Sequence, residues 1–299
     1  MKKYDCAGIG LCTLDRIMLL PEFPGKNEKR TALKSKVSGG GPVANAIYAL
    51  ARLGNSTAIC GKVGSDHDGR LLWEELASAG VNTRTLIPDH GGKTPQAQIW
   101  VDKKTASRTV VLDETGISPL DFKEIPLELL ENSQYILLDG RDAELCLKIA
   151  KAAHDSGAKI VYDLGSMRKN AGALLKSADI VIVSADFATA FYPESDPEQS
   201  LKKIFDAGPE IAVITLGEKG WIWMDHSGRG KGEAFKVDAV DTTGAGDVFH
   251  GAFIHGLLRG MDTAESAQFA GAAAALTCKV LGGRNAFDSE KDILDFMNK

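Results

Sequence analysis

Two hydrophobic patterns alternate along the second half of the chain. Short runs of consecutive apolar residues predict buried β-strands, and the longer stretches between them carry apolar residues at helical spacing. Strands that are apolar on both faces and alternate with helices are typical of a parallel sheet covered on both sides. The strands are expected at 135–139, 159–163, 180–183 and 211–215, and the helices at 142–156, 171–178 and 197–207.

The first half of the chain adds a strand, a helix and two further β segments. Residues 4–10 predict a strand, and the helix at 42–53 is flanked by a proline in its first turn and a glycine after its end. A loosely alternating stretch and a hairpin-like stretch predict additional β structure. We therefore expect one α/β domain spanning residues 1–299, with a small β appendage formed by insertions at about 16–38 and 94–113.

A glycine-rich turn at 241–247 separates a predicted strand from a predicted helix. The alternating segment 233–237 predicts the strand, and apolar residues at helical spacing continue from Val248 to a stop at Gly260. The start of a helix leaves backbone N–H groups without partners, and the positive end of the helix dipole strengthens their attraction for anions. The amides expected to be free are those of Gly244, Ala245, Gly246 and Asp247.

Asp247 places an acid where an anion is expected. The helix dipole should keep its carboxylate ionised, so that it could accept a proton beside a bound phosphate. A glycine-rich loop with an aspartate near a helix start is also common without any such role. The stretch alone leaves both interpretations open.

Composition narrows the class of protein. The chain has 299 residues, 44% of them hydrophobic, and a formal net charge of −5 without a basic block. These values argue against nucleic acid or an anionic membrane as the main partner. The first residues lead into a strand, and the five cysteines are scattered, so we expect a cytoplasmic protein with reduced thiols. Histidine spacing gives no metal-binding motif.

Two separated motifs together resemble a known family. The run Gly40-Gly41-Pro42-Val43-Ala44-Asn45 and the run Asp241-Thr242-Thr243-Gly244-Ala245-Gly246-Asp247 resemble the two signature motifs of the ribokinase (PfkB) family of carbohydrate kinases. The resemblance extends over nearly the whole chain. It implies a ribokinase-like, doubly wound, mostly parallel sheet flanked by helices, with a small β lid through which a homodimer forms. It also implies transfer of the γ-phosphoryl group of ATP to a sugar hydroxyl with Mg²⁺.

The resemblance also implies roles for individual residues. Asp247 would be the general base, and the Gly244–Asp247 amides would form the anion hole. Asp241 and Thr243 match positions that help bind a monovalent cation such as K⁺ in many members. The residues implied to hold sugar hydroxyls are Asp15, Gly41 and Asn45, and those implied to contact the nucleotide or its phosphates are Arg108, Thr215, Gly217, Gly220, Gly244 and Gly246.

One departure from the family pattern concerns magnesium. Many members carry an N-x-x-E motif that affects magnesium and phosphate binding. The corresponding stretch here is Ser184-Ala185-Asp186-Phe187, which has neither residue in register, and Asp186 is the one acid that could substitute.

Within the family the chain is most similar to the ketohexokinase and 6-deoxy-6-sulfofructose kinase branch. Lys29 and Arg141 match two positions that bind the sulfonate in the latter enzymes, whereas a third, polar position is Leu112 here. The resemblance therefore implies a ketose kinase acting on a hydroxymethyl group, with an acidic ketose such as sulfofructose as one candidate. Lys29 also fits a solvated surface lysine equally well.

Two alternatives stay open. The chain could be a family kinase for ribose, fructose, 2-keto-3-deoxygluconate or a nucleoside. It could also be a non-catalytic regulator that binds a sugar or nucleotide, although such a protein would be expected to have lost the base or the anion-hole glycines, and both are present.

Overall fold

The computed structural model describes residues 2–298, which form thirteen strands. In chain order they are β1 (Tyr4–Ile9), β2 (Thr13–Leu20), β3 (Lys34–Gly40), β4 (Thr57–Gly64), β5 (Leu86–Asp89), β6 (Gln96–Asp102), β7 (Arg108–Asp113), β8 (Ser133–Leu138), β9 (Lys159–Leu164), β10 (Ile180–Ser184), β11 (Ile211–Thr215), β12 (Trp221–Asp225) and β13 (Gly228–Gly232).

Ten α-helices accompany these strands across residues 2–298. They are α1 (Pro42–Arg52), α2 (His67–Ser78), α3 (Leu127–Glu131), α4 (Ala143–Asp155), α5 (Ala171–Lys176), α6 (Ala185–Phe191), α7 (Pro197–Asp206), α8 (Ala245–Leu258), α9 (Thr263–Thr277) and α10 (Glu290–Met297).

Nine strands build one central sheet in the order β13-β12-β11-β10-β9-β8-β1-β4-β5. All neighbouring pairs from β11 to β5 run parallel, and β12 and β13 continue the sheet antiparallel. Because β1 lies between β4 and β8, the strand order reverses direction at β1. In open α/β sheets, ligands bind beyond the carboxyl ends of the strands near such a reversal.

Two hydrophobic layers cover the two faces of the central sheet. Successive residues of a strand point to opposite faces, so Leu137 packs with α1, α8 and α9, whereas its neighbours Ile136 and Leu138 pack with α4 and α5. Helix α8 lies between α1 and α9 and is buried over most of its length. The expected α/β fold with a mostly parallel, helix-covered sheet is confirmed.

A second sheet of four strands has the order β3-β2-β6-β7, and we call it the small sheet. Its inner face packs Ile17, Ile99 and Val101 with Leu281. Its outer face exposes large apolar side chains, among them Val37 and Val111. Strands β2 and β3 extend slightly beyond the predicted insertion at about 16–38, and β6 and β7 lie within the one at about 94–113.

The predicted strand at 233–237 is wrong. These residues have no strand pairing because β13 ends at Gly232, where its ladder with β12 stops. The alternation has another origin, since Phe235 is partly buried against Phe296 of α10, with ring centroids 5.6 Å apart. Strands β12 and β13 were not predicted from the sequence.

Candidate active site

Helix α8 begins at a tight turn that requires glycine. Gly244 precedes the first helical residue and has a left-handed backbone, with φ of 75°. A Cβ atom at this position would lie 2.5 Å from the Cα of Gly283. Glycine is therefore needed both for the backbone conformation and for the close approach of the 281–284 loop.

Three of the four amides predicted to be free have no acceptor within the described part of the chain. These are the N–H groups of Gly244, Gly246 and Asp247, whereas Ala245 N–H makes a long hydrogen bond of 3.3 Å to the Thr242 carbonyl. The prediction of four free amides is thus corrected to three, because the turn before the helix uses one of them. Three converging N–H groups at a positive helix end still form an anion site.

The carboxylate of Asp247 lies in the first turn of α8 and contacts Asn45 of α1. Asn45 Nδ2 donates a hydrogen bond of 2.7 Å to Asp247 Oδ2. The sequence led us to expect that the helix dipole keeps this carboxylate ionised. Burial and the nearby charge of Asp163 raise the pKa of Asp247 to about 6, against the opposing effects of Asn45 and His250. The group is still mostly ionised at pH 7 and has a pKa suited to a general base.

Asp163 is a residue of this site that the sequence did not single out. It is the penultimate residue of β9, is buried, and its Oδ2 atom has no hydrogen-bond partner among the described residues. Its Oδ1 atom lies 3.5 Å from Nε2 of His250, whose Nδ1 is 2.7 Å from the Gly246 carbonyl. The only signal in the sequence was an acid at the end of an apolar strand run, at the edge where ligands bind.

A buried arginine, Arg284, was also missed as a functional residue. Its Nε donates to Asn45 Oδ1 over 2.9 Å, and its Nη1 forms an ion pair of 3.0 Å with Glu75 Oε2. The guanidinium also lies over the Tyr48 ring, 5.0 Å from the centroid. The pair of glycines before it marked a turn, but nothing in the local pattern indicated that the side chain points inward.

Asp15 and Gly41 lie near the N-terminal end of α1. Asp15 is the third residue of β2, accepts a hydrogen bond of 2.7 Å from Thr13 Oγ1, and faces Gly40, where a Cβ atom would overlap its carboxylate. Burial raises the pKa of Asp15 to about 6. Gly41 has φ of 93°, and a Cβ there would lie 2.2 Å from the Leu11 carbonyl oxygen. The glycine run thus makes room for a buried acid.

The other residues predicted to contact the nucleotide lie outside the α8 turn, in β7, at the end of β11 and in the turn that follows it. Arg108, the first residue of β7, donates from Nη1 to Thr242 Oγ1 over 2.9 Å, so the small sheet touches the turn. Thr215 ends β11, and Gly217 opens a short 3-10 turn that closes at Gly220, which has φ of 88°. These positions lie at the carboxyl edge of the central sheet.

Lys29 and Arg141 were predicted to bind an acidic group of the substrate. In the structure they do not form a shared site with an unbalanced positive charge. Arg141 Nη2 is 2.7 Å from both carboxylate oxygens of Glu114, so its charge is neutralised. Lys29 is exposed in the loop between β2 and β3. Leu112, the third position of this set, is in β7 and packs toward the core of the small sheet.

The residues suit magnesium better than potassium. Magnesium in kinases needs only one or two carboxylates besides the phosphates, and the unpartnered Asp163 Oδ2 beside Asp247 provides one, whereas Asp186 is exposed in the first turn of α6. Asp241 and Thr243 are buried as a cation site would require. However, carbonyl oxygens of the adjoining loop already accept hydrogen bonds from the ammonium group of Lys36. A potassium ion at those oxygens would meet a like charge.

Comparison with known proteins assigns the family. The model of the family described as pfkB family carbohydrate kinase matches residues 3–290. The chain belongs to the pfkB family. Like its relatives, it is an ATP-dependent kinase that phosphorylates an alcohol group of a sugar.

Relatives of this pfkB kinase include enzymes named for different sugar substrates. It is 28% identical to a ribokinase of Haemophilus influenzae, with 97% of each chain covered. It is also 28% identical to fructokinase-1 of Zea mays, with 95% of each covered. The structure of Arabidopsis thaliana ribokinase complexed with ribose and ATP superimposes with a TM-score of 0.84 at 23% identity, over 99% of both chains, which supports the fold. Within residues 2–298 of the pfkB chain, no helix has the length and apolar character needed to cross a membrane.

Proposed function

We propose that this kinase transfers the γ-phosphoryl group of ATP to a hydroxymethyl group of a ketose-type sugar, with Asp247 as the general base. The observation that carries the proposal is the position of the Asp247 carboxylate beside three free amides at the start of α8. One part of this turn can accept the alcohol proton while the other holds the phosphoryl oxygens.

The proposed steps follow from the groups in this turn. Asp247 takes the proton from the sugar hydroxyl as that oxygen attacks the γ-phosphorus, and the bond to the β-phosphate oxygen breaks. The amides of Gly244, Gly246 and Asp247 stabilise the negative charge on the transferring group. Asp15 accepts hydrogen bonds from sugar hydroxyls, and Gly41 lets the sugar approach the backbone. Thr215, Gly217 and Gly220 lie along the nucleotide, and Arg108 reaches its phosphates.

Asp163 is proposed to hold magnesium together with the phosphates of ATP. Magnesium, when bound, neutralises charge on the β- and γ-phosphates. The buried and unpartnered Asp163 Oδ2 supports this assignment, because an ionised oxygen without a partner is costly unless a ligand completes its contacts. On its other side, Asp163 Oδ1 lies 3.5 Å from His250 Nε2, which is also 3.2 Å from the Ile182 carbonyl oxygen.

An acidic ketose such as 6-deoxy-6-sulfofructose is a second candidate substrate. Arg141 is the residue that favours it, because its ion pair with Glu114 is partly exposed and an anionic group could displace the glutamate. We place a neutral ketose first because Glu114 already balances the charge of Arg141 in the unliganded chain.

Turnover of sugars by the purified protein tests the proposal. ATP consumption is measured with fructose, sulfofructose, fructose 6-phosphate, ribose, 2-keto-3-deoxygluconate and adenosine. Asp247→Asn should lower kcat by about 10²–10⁴ while ATP still binds, as followed by calorimetry. A protein that binds a sugar but gives no turnover with any of these would instead be a regulator, and preference for adenosine would make it a nucleoside kinase.

A homodimer through the small sheet is also proposed, in the cytoplasm. In the β2, β3, β6 and β7 registers, Met18, Val37, Trp100 and Val111 share the outer face and are all exposed. A second copy would cover this face by packing its own outer face against it. Light scattering of Val111→Lys should then report a monomer, whereas Leu294→Lys on α10, an exposed leucine outside this face, should leave the dimer intact.

A further inference from the structure

Lys36 crosses from the small sheet to the loop that follows α9. It lies in β3, opposite Ile17 of β2, and its Nζ atom donates to the Leu281 carbonyl over 2.7 Å and to the Arg284 carbonyl over 3.5 Å. The side chain is half-buried, and burial lowers the pKa of Lys36 while the carboxylates of Glu75 and Asp241 oppose this effect. The ammonium group of Lys36 is thus held in place by the carbonyl oxygens that it contacts and by the negative charge of the nearby carboxylates.

The loop bound by Lys36 supports the proposed phosphoryl site on two sides. Gly282 N–H donates to Asp241 Oδ2 over 2.7 Å, which ties the loop to the start of the glycine-rich turn. Gly283 packs directly against Gly244, the residue before α8. Arg284 holds Asn45, which contacts Asp247. Displacing this loop would therefore move both the amides and the base.

Asp241 needs a positive charge nearby. Its side chain is fully buried, and no Lys, Arg or His side chain in residues 2–298 lies within ion-pair distance of it. Its two oxygens accept backbone N–H groups of Thr243 and Gly282, which are neutral donors. A buried carboxylate is costly without a compensating charge, and the Lys36 ammonium is bound to the carbonyl of the residue next to Gly282.

We propose that the ammonium group of Lys36 is a built-in cation that replaces an exchangeable monovalent cation beside Asp241. Lys36 is then a positioning residue that keeps the 281–284 loop against the α8 turn, and phosphoryl transfer does not require potassium. The inference rests on the proposed function of that turn. Two carbonyl oxygens of the loop that donates to Asp241 already accept the ammonium group of Lys36, so an added cation at those oxygens would meet a like charge.

The test compares the wild type with Lys36→Met, which keeps an unbranched apolar stem and removes the charge. The control is Lys34→Met, two residues earlier in the same strand and exposed. Rates are measured in potassium, sodium and choline chloride at equal ionic strength, and with added methylammonium. Thermal unfolding of each protein without substrates is followed over the same salts, since an ion that binds only the folded state raises Tm.

The wild type and Lys34→Met should have the same kcat in all three salts and no potassium-specific change in Tm. Lys36→Met should lose about tenfold or more in kcat, as expected when reacting groups are misplaced, with KM for ATP little changed. Potassium or methylammonium should restore much of that loss and raise Tm of this variant alone. The rate of Lys36→Arg, which keeps the positive charge, should not depend on potassium. This variant provides the test if Lys36→Met does not fold.

Activation of the wild type by potassium would overturn the inference, and so would a Lys36→Met enzyme that is fully active in choline chloride. A folded Lys36→Met protein that neither ion rescues in rate or Tm would also overturn it. If the wild type has no turnover at all, the proposed function fails, and the Tm series still decides whether Lys36 replaces a cation.

Discussion

Arg284 and Asn45 are joined by a hydrogen bond of 2.9 Å from the guanidinium Nε to the amide Oδ1. Because the oxygen of Asn45 faces the arginine, its Nδ2 must face Asp247, which it contacts at 2.7 Å. Glu75 of α2 fixes the arginine from the other side. A connected chain of polar contacts thus runs from α2 through the loop after α9 to the start of α8, and it sets which atom of Asn45 meets Asp247.

Replacing Arg284 should impair catalysis without abolishing ATP binding. Arg284→Gln removes the donor that orients Asn45 and leaves Glu75 partly buried without its cation, so kcat/KM for the sugar should fall by about 10²-fold while KM for ATP stays close to the wild-type value. Steady-state kinetics with each substrate varied in turn measures the split. Arg52→Gln is the control, since Arg52 pairs with the exposed Asp288. If kcat/KM fell equally for the sugar and for ATP, Arg284 would have only a structural role.

The pH dependence of the reaction should report the Asp163 charge. With the pKa of Asp247 near 6, kcat/KM should fall below about pH 6 as the base becomes protonated. Asp163→Asn removes a like charge that raises this pKa, so the acid limb should move to lower pH even though the maximal rate also falls. Rate profiles at saturating magnesium check this. An acid limb that stays in place would show that the nearby charge does not tune the base.

Asp247 should also cost stability at neutral pH. Its pKa is about 6 in the folded chain, against about 3.9 for an unperturbed aspartate. The folded state therefore holds this proton more tightly than the unfolded state. Protonation of Asp247 makes its full contribution to the free energy of unfolding below about pH 4, and this contribution is lost as pH rises through 6. Asp247→Asn should raise Tm at pH 7.5 and have little effect at pH 4, as measured by scanning calorimetry. A variant that melts lower at pH 7.5 would contradict this sign.

The α/β pattern was readable from the sequence because each buried strand and each amphipathic helix carries its own local signature. Glycine-rich turns at Gly41 and Gly244 were readable too, since their positive φ angles restrict the residue type. Arg284 and Lys36 were not, because their roles come from contacts made 239 and 245 residues away along the chain. Segment 233–237 misled for a related reason, since burial against α10 imitates the alternation of a strand.

Adding a methyl group at Gly244 separates backbone strain from steric overlap. Gly244→Ala must both hold φ near 75° and push against Gly283, whereas Gly260→Ala at the end of α8 has φ of 79° with open space around it. Both should lose stability by about 1 kcal/mol from strain, but only Gly244→Ala should also lose kcat, by about 10²-fold. Denaturant unfolding and initial rates measure the two effects. Equal activity of both variants would argue against the α8 turn as the phosphoryl site.

The Arg141–Glu114 pair should decide between a neutral and an acidic ketose. Glu114→Gln removes the carboxylate that balances the charge of Arg141. If the acidic group of the sugar binds Arg141, KM for an acidic ketose should fall in this variant and rise in Arg141→Gln. KM for fructose should respond to neither change.

Lys29→Ala should raise KM for the acidic substrate alone if the loop between β2 and β3 approaches it on binding. Because an exposed ion pair contributes at most about 1 kcal/mol, Glu114→Gln should leave Tm nearly unchanged, so a shift in KM can be attributed to charge. Parallel KM measurements for both sugars across these variants are the check, and equal responses would leave a neutral ketose as the substrate.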